Sequence, residues 1–174
     1  MAERVEVLLS EEEVDLRIRK MGEQISRDYA GKSIHLVCIL KGASFFMCEL
    51  AKRITVPVSI DFMSLSSYGS DTESSGVIKI KKDIEESLEN RHVLVVEDIV
   101  DTGRTLKYLV ELLKDRGAAD VKLCALLDKP DRRVVDVEAD YIGFKIPDEF
   151  VVGYGLDYDQ RYRNLPYIGA VKFD

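Results

Sequence analysis

Residues 94–105 read LVVEDIVDTGRT: a β-branched apolar run, two adjacent acids, a third acid, and a short turn rich in hydroxyls. The apolar run does not alternate, which marks a strand buried on both faces, expected over 91–98. From 102 to 116 the period changes. Leu106, Leu109, Val110 and Leu113 share one helical face, and Gly117 stands where a helix closes. A second apolar run at 121–127 supplies the next strand. Strand, helix, strand in this order implies right-handed crossovers between parallel strands. The chain is therefore expected to be α/β, with a mostly parallel, Rossmann-like sheet flanked by helices.

The same alternation extends upstream. Ser10-Glu11-Glu12-Glu13 is a capping box, and Val14, Ile18, Met21, Ile25 and Tyr29 follow at helical spacing until Gly31. Residues 34–40 form an apolar strand ending in Lys41-Gly42, 43–54 have a helical pattern, and 56–65 alternate loosely behind Pro57. The stretch SSYGSDTESSG at 66–76 is small, polar and aperiodic; it suits an exposed hairpin loop or a mobile lid. Residues 77–80 supply a short return strand, and 141–144, 150–153 and 167–171 are short strand candidates. No repeat or proline-rich linker divides the chain, so all 174 residues are expected in one domain.

Composition narrows the function. Apolar residues make up 46% and charged residues 33%, an ordinary globular balance. The longest apolar runs, such as LVCIL at 36–40, are too short to span a bilayer, and MAERVEVLLSEEE lacks the apolar segment of a signal peptide. The three cysteines, Cys38, Cys48 and Cys124, have apolar neighbours and are expected to be reduced core thiols of a cytoplasmic protein. A net charge of −7 argues against a general nucleic-acid binder, though not against a small anion held by local donors.

Ligands of open α/β sheets sit beyond the carboxyl ends of the strands, which is where Glu97 and Asp98 fall. The turn 101–105 then offers free N–H groups at a helix start, the hydroxyls of Thr102 and Thr105, close backbone approach at Gly103, and the charge of Arg104. Phosphate is the natural occupant of such a turn. The acids would repel it unless they hold something else, and a ribose diol or a Mg²⁺ ion resolves the conflict. Strands that end in acids also occur in receiver domains and nucleoside triphosphatases. The glycine-lysine loop of the latter and the G-x-G-x-x-G of dinucleotide-binding folds are both missing here.

This stretch resembles the 5-phosphoribosyl-1-pyrophosphate (PRPP) signature of the purine, or type I, phosphoribosyltransferases. Leu40-Lys41-Gly42, Ser67-Tyr68-Gly69, 126–129 and IPDEFVVGYGLDYDQRYRNLPYIG at 146–169 resemble the family's hypoxanthine-guanine branch, in the family's order and over nearly the whole chain. The resemblance implies a PRPP-binding core at about 34–130, a purine-binding hood mainly at 140–174, and a mobile loop at 66–76. It implies transfer of phosphoribosyl from PRPP to N9 of hypoxanthine or guanine, with Mg²⁺ as cofactor.

The resemblance also assigns roles. Glu97 and Asp98 would hold the ribose hydroxyls directly or through Mg²⁺, residues Asp101, Thr102, Gly103, Arg104 and Thr105 the 5-phosphate, and Asp101 would be the general base at purine N7. Lys41, Gly42 and Arg163 would surround the pyrophosphate, with a Leu40–Lys41 peptide that can be cis. Ser67 and Tyr68 would begin the lid. Lys129 would donate to the purine 6-oxo group, Phe150 and Val151 would flank the base, and Asp157 would help hold a second Mg²⁺. Homodimers or homotetramers are implied, with no nucleic-acid or membrane partner. On their own, Lys41 reads as a solvated strand-end lysine and Phe150 as core. A PRPP-sensing regulator that binds nucleic acid is the competing reading, and would need a basic face. An adenine or pyrimidine transferase would not need Lys129.

Overall fold

The computed structural model describes residues 2–67 and 78–174. Its elements run β1 (Glu3–Leu9), α1 (Glu11–Asp28), β2 (Ile34–Ile39), α2 (Ser44–Ala51), β3 (Val58–Ser67), β4 (Ile78–Lys82), β5 (His92–Val100), α3 (Arg104–Asp115), β6 (Asp120–Asp128), β7 (Tyr141–Lys145), β8 (Val151–Val152) and β9 (Ile168–Phe173). Six strands form a sheet in the order β4-β3-β2-β5-β6-β7, and β1, β9 and β8 form a second sheet. In the large sheet only β4 runs antiparallel to its neighbour. The chain passes from β2 to β3 on one side, then returns to place β5 on the other. The sheet therefore reverses its direction of growth between β2 and β5, the position where open α/β sheets bind ligands.

The faces follow from period-two alternation. Leu36 and Cys38 of β2, Leu94 and Val96 of β5, and Cys124 and Leu126 of β6 pack against α1 and α2. Val37, Val93, Val95, Leu123 and Ala125 pack on the other face, with Leu106, Leu109 and Leu113 of α3. Each fully buried leucine there contributes about 1.5–3 kcal/mol. The capping box at Ser10 and Glu13 forms as the sequence predicts, starting α1.

Several boundaries differ from the sequence pattern. α2 stops at Ala51 because the chain tightens into short-range bonds, Arg53 N to Leu50 O and Ile54 N to Ala51 O. α3 starts at Arg104, two residues late, behind Gly103 with φ +88°. β5 runs on to Val100, because Ile99 and Val100 continue its ladder with Leu127 and Asp128 of β6. Ser66 and Ser67 are not loop residues; they extend β3, paired with Lys79 and Ile78. The rest of the lid expected at 66–76, from Tyr68 onward, lies outside the described residues.

The amino-terminal strand β1 escaped the sequence pattern altogether. It is half-exposed and pairs with β9, so the hood expected from the C-terminal segment takes an edge from the N-terminus. Cys48 is also a correction: it is exposed, because the adjacent Met47 takes the core-facing position on α2; only Cys38 and Cys124 are buried.

Asp61 fastens the return from β4. It is buried and accepts from the N–H groups of Phe62 (2.9 Å), Glu85 (3.0 Å) and Glu86 (3.1 Å), with His35 Nε2 at 3.4 Å. Burial opposes its charge, yet the three N–H groups and His35 outweigh that and hold the carboxyl below the ordinary carboxylate range. Such a group adds stability above the unfolded carboxyl's titration, near pH 4, and loses it as pH falls through the lower folded value. Asp61→Asn is expected to lose about 1–3 kcal/mol at pH 7. In thermal melts the gap from wild type should begin to narrow as pH falls below about 4 and close only once pH has passed below the lowered folded value, where both chains carry a neutral side chain.

Candidate ligand site at the sheet switch point

Glu97 and Asp98 lie where β2 parts from β5: the ladder between these strands ends at Cys38 and Val96. There the alternation of faces also breaks. Val96 and Ile99 both pack toward the α1/α2 core, whereas Val95 and Val100 pack toward α3. This local irregularity, like that of a bulge, brings two consecutive side chains to the same crevice. Glu97 accepts from Asp98 N at 3.0 Å and Asp98 from Ile99 N at 2.7 Å. Burial drives the Glu97 carboxyl well above its usual range, and the charge of Asp98 adds to it. Burial also raises Asp98, against the lowering effects of its hydrogen bonds and of Arg163. Without a cation between them, this pair holds a proton more readily than two separate carboxyls.

The end of β2 closes one side. The Leu40–Lys41 peptide is cis, and Lys41 O accepts from Ser44 N at 3.1 Å and Ser44 Oγ at 2.7 Å. A Cβ on Gly42 would overlap Asp98 Oδ2, so only glycine lets this turn approach the acid pair. The carbonyl of Gly42 in turn packs on Gly155. Arg163 donates to Gly155 O at 2.6 Å, and its Nη2 lies 3.4 Å from Asp157 Oδ1. Lys41, Gly42, Asp98, Asp157 and Arg163 therefore belong to one neighbourhood, although they come from β2, β5 and the C-terminal segment.

The turn 101–105 closes the other side. The N-cap of α3 is Gly103, which has no side chain to cap the helix, and Thr102 and Thr105 flank the helix start. Thr102 Oγ1 accepts from Arg104 N at 3.4 Å. The turn is braced from behind. Arg133 Nε donates to Asp101 O at 3.2 Å, Val134 N donates to Thr102 O at 3.1 Å, and a Cβ on Gly103 would overlap Val137. Arg133 also donates to Val137 O at 2.9 Å and pairs with Asp128, which is buried at the end of β6.

Lys129 follows Asp128 and is 8% exposed, its N–H bonded to Val100 O at 2.9 Å. It thus sits beside the start of the 101–105 turn. Val151 is buried in β8, whereas Phe150 is exposed and packs edge-on against Tyr158 at 5.4 Å. Phe150 is therefore a surface ring available to a flat ligand, and not the core residue that an aromatic in a strand suggests. Ser67 is placed by its backbone pairing alone, and Tyr68 lies outside the described residues.

The site thus combines a strained-charge acid pair, a bed of amide donors, and cations on both flanks. That set suits a ligand with hydroxyls next to a phosphate. Sequence reasoning missed Asp128, Arg132, Arg133 and Asp148. For Asp128, Arg132 and Arg133 the signal was present as charged residues close to Lys129 in sequence, but charge runs usually mark a solvated face; Asp148 lies far along the chain from Lys129.

Comparison with known proteins shows the family to which the chain belongs. The family model described as phosphoribosyl transferase domain matches residues 5–159. The hypoxanthine-guanine phosphoribosyltransferase of Streptococcus pneumoniae (strain ATCC BAA-255 / R6) is 57% identical over 166 residues, 95% of this chain and 92% of that protein. The protein of the same name from Streptococcus thermophilus (strain CNRZ 1066) is 52% identical over the same shares. The crystal structure of a hypoxanthine phosphoribosyltransferase from Staphylococcus aureus matches with a TM-score of 0.93 and 54% identity, covering 96% of this chain and 91% of that one.

The brace behind the turn makes a checkable prediction. Removing one partner of a buried ion pair leaves the other charge uncompensated, at about 3–5 kcal/mol. Arg133→Met should therefore lower stability by roughly that amount in urea titrations. Adding Asp128→Asn should restore part of it, because no buried charge is then left unpaired.

Proposed function

Because the chain belongs to the phosphoribosyl transferase domain family, we propose that it is a purine-salvage enzyme, moving 5-phosphoribosyl from PRPP to N9 of hypoxanthine or guanine. The products are the nucleoside monophosphate and pyrophosphate. The observation that carries this reading is the meeting, at the switch point between β2 and β5, of the Glu97–Asp98 pair with the glycine-capped start of α3.

Each group has a physical task. The N–H groups and hydroxyls of 101–105 hold the 5-phosphate, with Arg104 at the exposed rim. Glu97 and Asp98 accept hydrogen bonds from the ribose diol. Mg²⁺ fits the same pair, since it binds through one or two carboxylates plus substrate oxygens and water, and a cation there would offset the burial that raises both carboxyls. When bound, it offsets charge on the pyrophosphate; Asp157 would serve a second ion through water. Lys41, the backbone at Gly42, and Arg163 face the leaving group. Phe150 and Val151 flank the purine.

In the transfer the bond from C1 to pyrophosphate breaks and the bond from C1 to N9 forms, with inversion. Asp101 takes the purine proton at N7. Positive charge grows on the ribose and negative charge on the leaving group, so preset cations give the larger share of the acceleration. Lys129 donates to the 6-oxo oxygen. An adenine would turn an amino group toward that ammonium, which explains the preference for 6-oxopurines. The protein is also read as cytoplasmic, and as a homodimer or homotetramer, for which sedimentation velocity is the direct measurement. No helix among the described residues is long and apolar enough to cross a membrane.

Assays with PRPP, Mg²⁺ and hypoxanthine, guanine, xanthine or adenine test the proposal. Turnover is expected with the first two and not with adenine; adenine as the best acceptor would contradict it. Asp101→Ala is expected to lose about 10²–10⁴-fold in kcat while keeping PRPP affinity in calorimetry. Lys129→Ala should cut kcat/KM for hypoxanthine by about 10–100-fold, the worth of one hydrogen bond to a charged group.

A further inference from the structure

Arg132 and Asp148 take no part in the chemistry above, yet they stand between two side chains on which it depends. Arg132 closes the 3-10 turn Pro130–Arg132 that follows Lys129, with its N–H bonded to Lys129 O at 3.1 Å. Its Nε lies 3.4 Å from Asp101 Oδ1 and its Nη1 lies 3.7 Å from Asp148 Oδ2. The other oxygen of Asp148, Oδ1, lies 3.8 Å from Lys129 Nζ. Charge alternates along the row from Asp101 through Arg132 and Asp148 to Lys129.

The two oxygens of Asp101 are not equivalent. Oδ1 is shut off from solvent without a hydrogen-bond partner, although the side chain as a whole is 45% exposed. The accessible surface therefore lies on the Oδ2 side. Arg132 faces the closed oxygen and leaves the open one to a ligand. Lys129 is a nearly buried ammonium, and Asp148 faces it from a more exposed position. Arg132 and Asp148 are themselves about half exposed, so their ion pairs add little to fold stability. The row is better suited to orientation than to holding the chain together.

We propose that Arg132 is a positioning residue which, with Asp148, fixes Asp101 and Lys129 relative to one another. One rigid edge of the purine, N7 and the 6-oxo oxygen, then meets its base and its donor together. Arg132 exchanges no proton; the purine proton passes to Asp101 Oδ2. The proposal rests on the reading that Asp101 and Lys129 touch the purine.

Steady-state kinetics with hypoxanthine and PRPP test it on Arg132→Ala, Arg132→Lys, Asp148→Ala and the double variant Arg132→Ala/Asp148→Ala, with Asp101→Asn alongside. Misplacing a reacting group by an ångström costs up to about 10²-fold, so Arg132→Ala should lose about 10–100-fold in kcat. Its KM for hypoxanthine should rise and its KM for PRPP stay unchanged. Arg132→Lys should recover part of the loss, and the double variant should be no worse than the worse single one, because both break one row. A kcat for Arg132→Ala at or above wild type, an equal rise in both KM values, or additive losses in the double variant would overturn the proposal. If Asp101→Asn loses turnover while Arg132→Ala does not, only the positioning role fails. If Asp101→Asn keeps wild-type turnover, the assignment of the base fails and the proposal falls with it.

Discussion

Glu97 and Asp98 stand side by side where β2 leaves β5, in surroundings that make both harder to ionise. This constraint organises what lies around them. A carboxyl pair raised by burial is unfavourable for the fold alone and becomes favourable once a cation or a pair of hydroxyls sits between the oxygens. The neighbouring elements supply the rest of such an occupant's needs. The start of α3 gives amide donors, β2 brings Lys41 and Gly42, and the C-terminal segment brings Arg163. Gly42 matters because any side chain there would displace the Asp98 carboxylate.

Precision comes from the scaffold behind the site. The two hydrophobic layers fix β5 and β6, and with them Asp98 and the strand end that Lys129 follows. The 101–105 turn is less regular and needs a brace. Arg133 provides it by tying the end of β6 to the carbonyl of Asp101. A turn held this way keeps its N–H groups aimed outward before any ligand arrives, so less ordering is left to do on binding.

Much of this was legible in the sequence, for identifiable reasons. β2, β5 and β6 are predominantly apolar, and α1 and α3 have clean helical periods, so the parallel core follows directly. The strand ends were harder. Whether β5 stops at Asp98 or Val100 depends on pairing with β6 across the sheet, which local pattern does not encode. β1 was invisible because its alternation is weak and its partner β9 lies at the far end of the chain. The site was legible where a motif is local, as at 97–105. The resemblance, and not spacing, supplied Lys41, Lys129, Asp157 and Arg163. The side chains that orient others, Asp128, Arg132, Arg133 and Asp148, carry no local motif; their partners are set only by tertiary approach of the segment after β6 to the turn after β5.

The central claim is that the acid pair grips a ribose while the amides of the adjoining turn grip its phosphate. A crystal structure of the protein with a 6-oxopurine nucleoside 5′-monophosphate tests it most directly. The phosphate is expected on the backbone N–H groups and hydroxyls of 101–105, with the ribose hydroxyls on Glu97 and Asp98 or on a cation they hold. A phosphate bound away from that turn, or a ribose out of reach of both acids, would contradict the account.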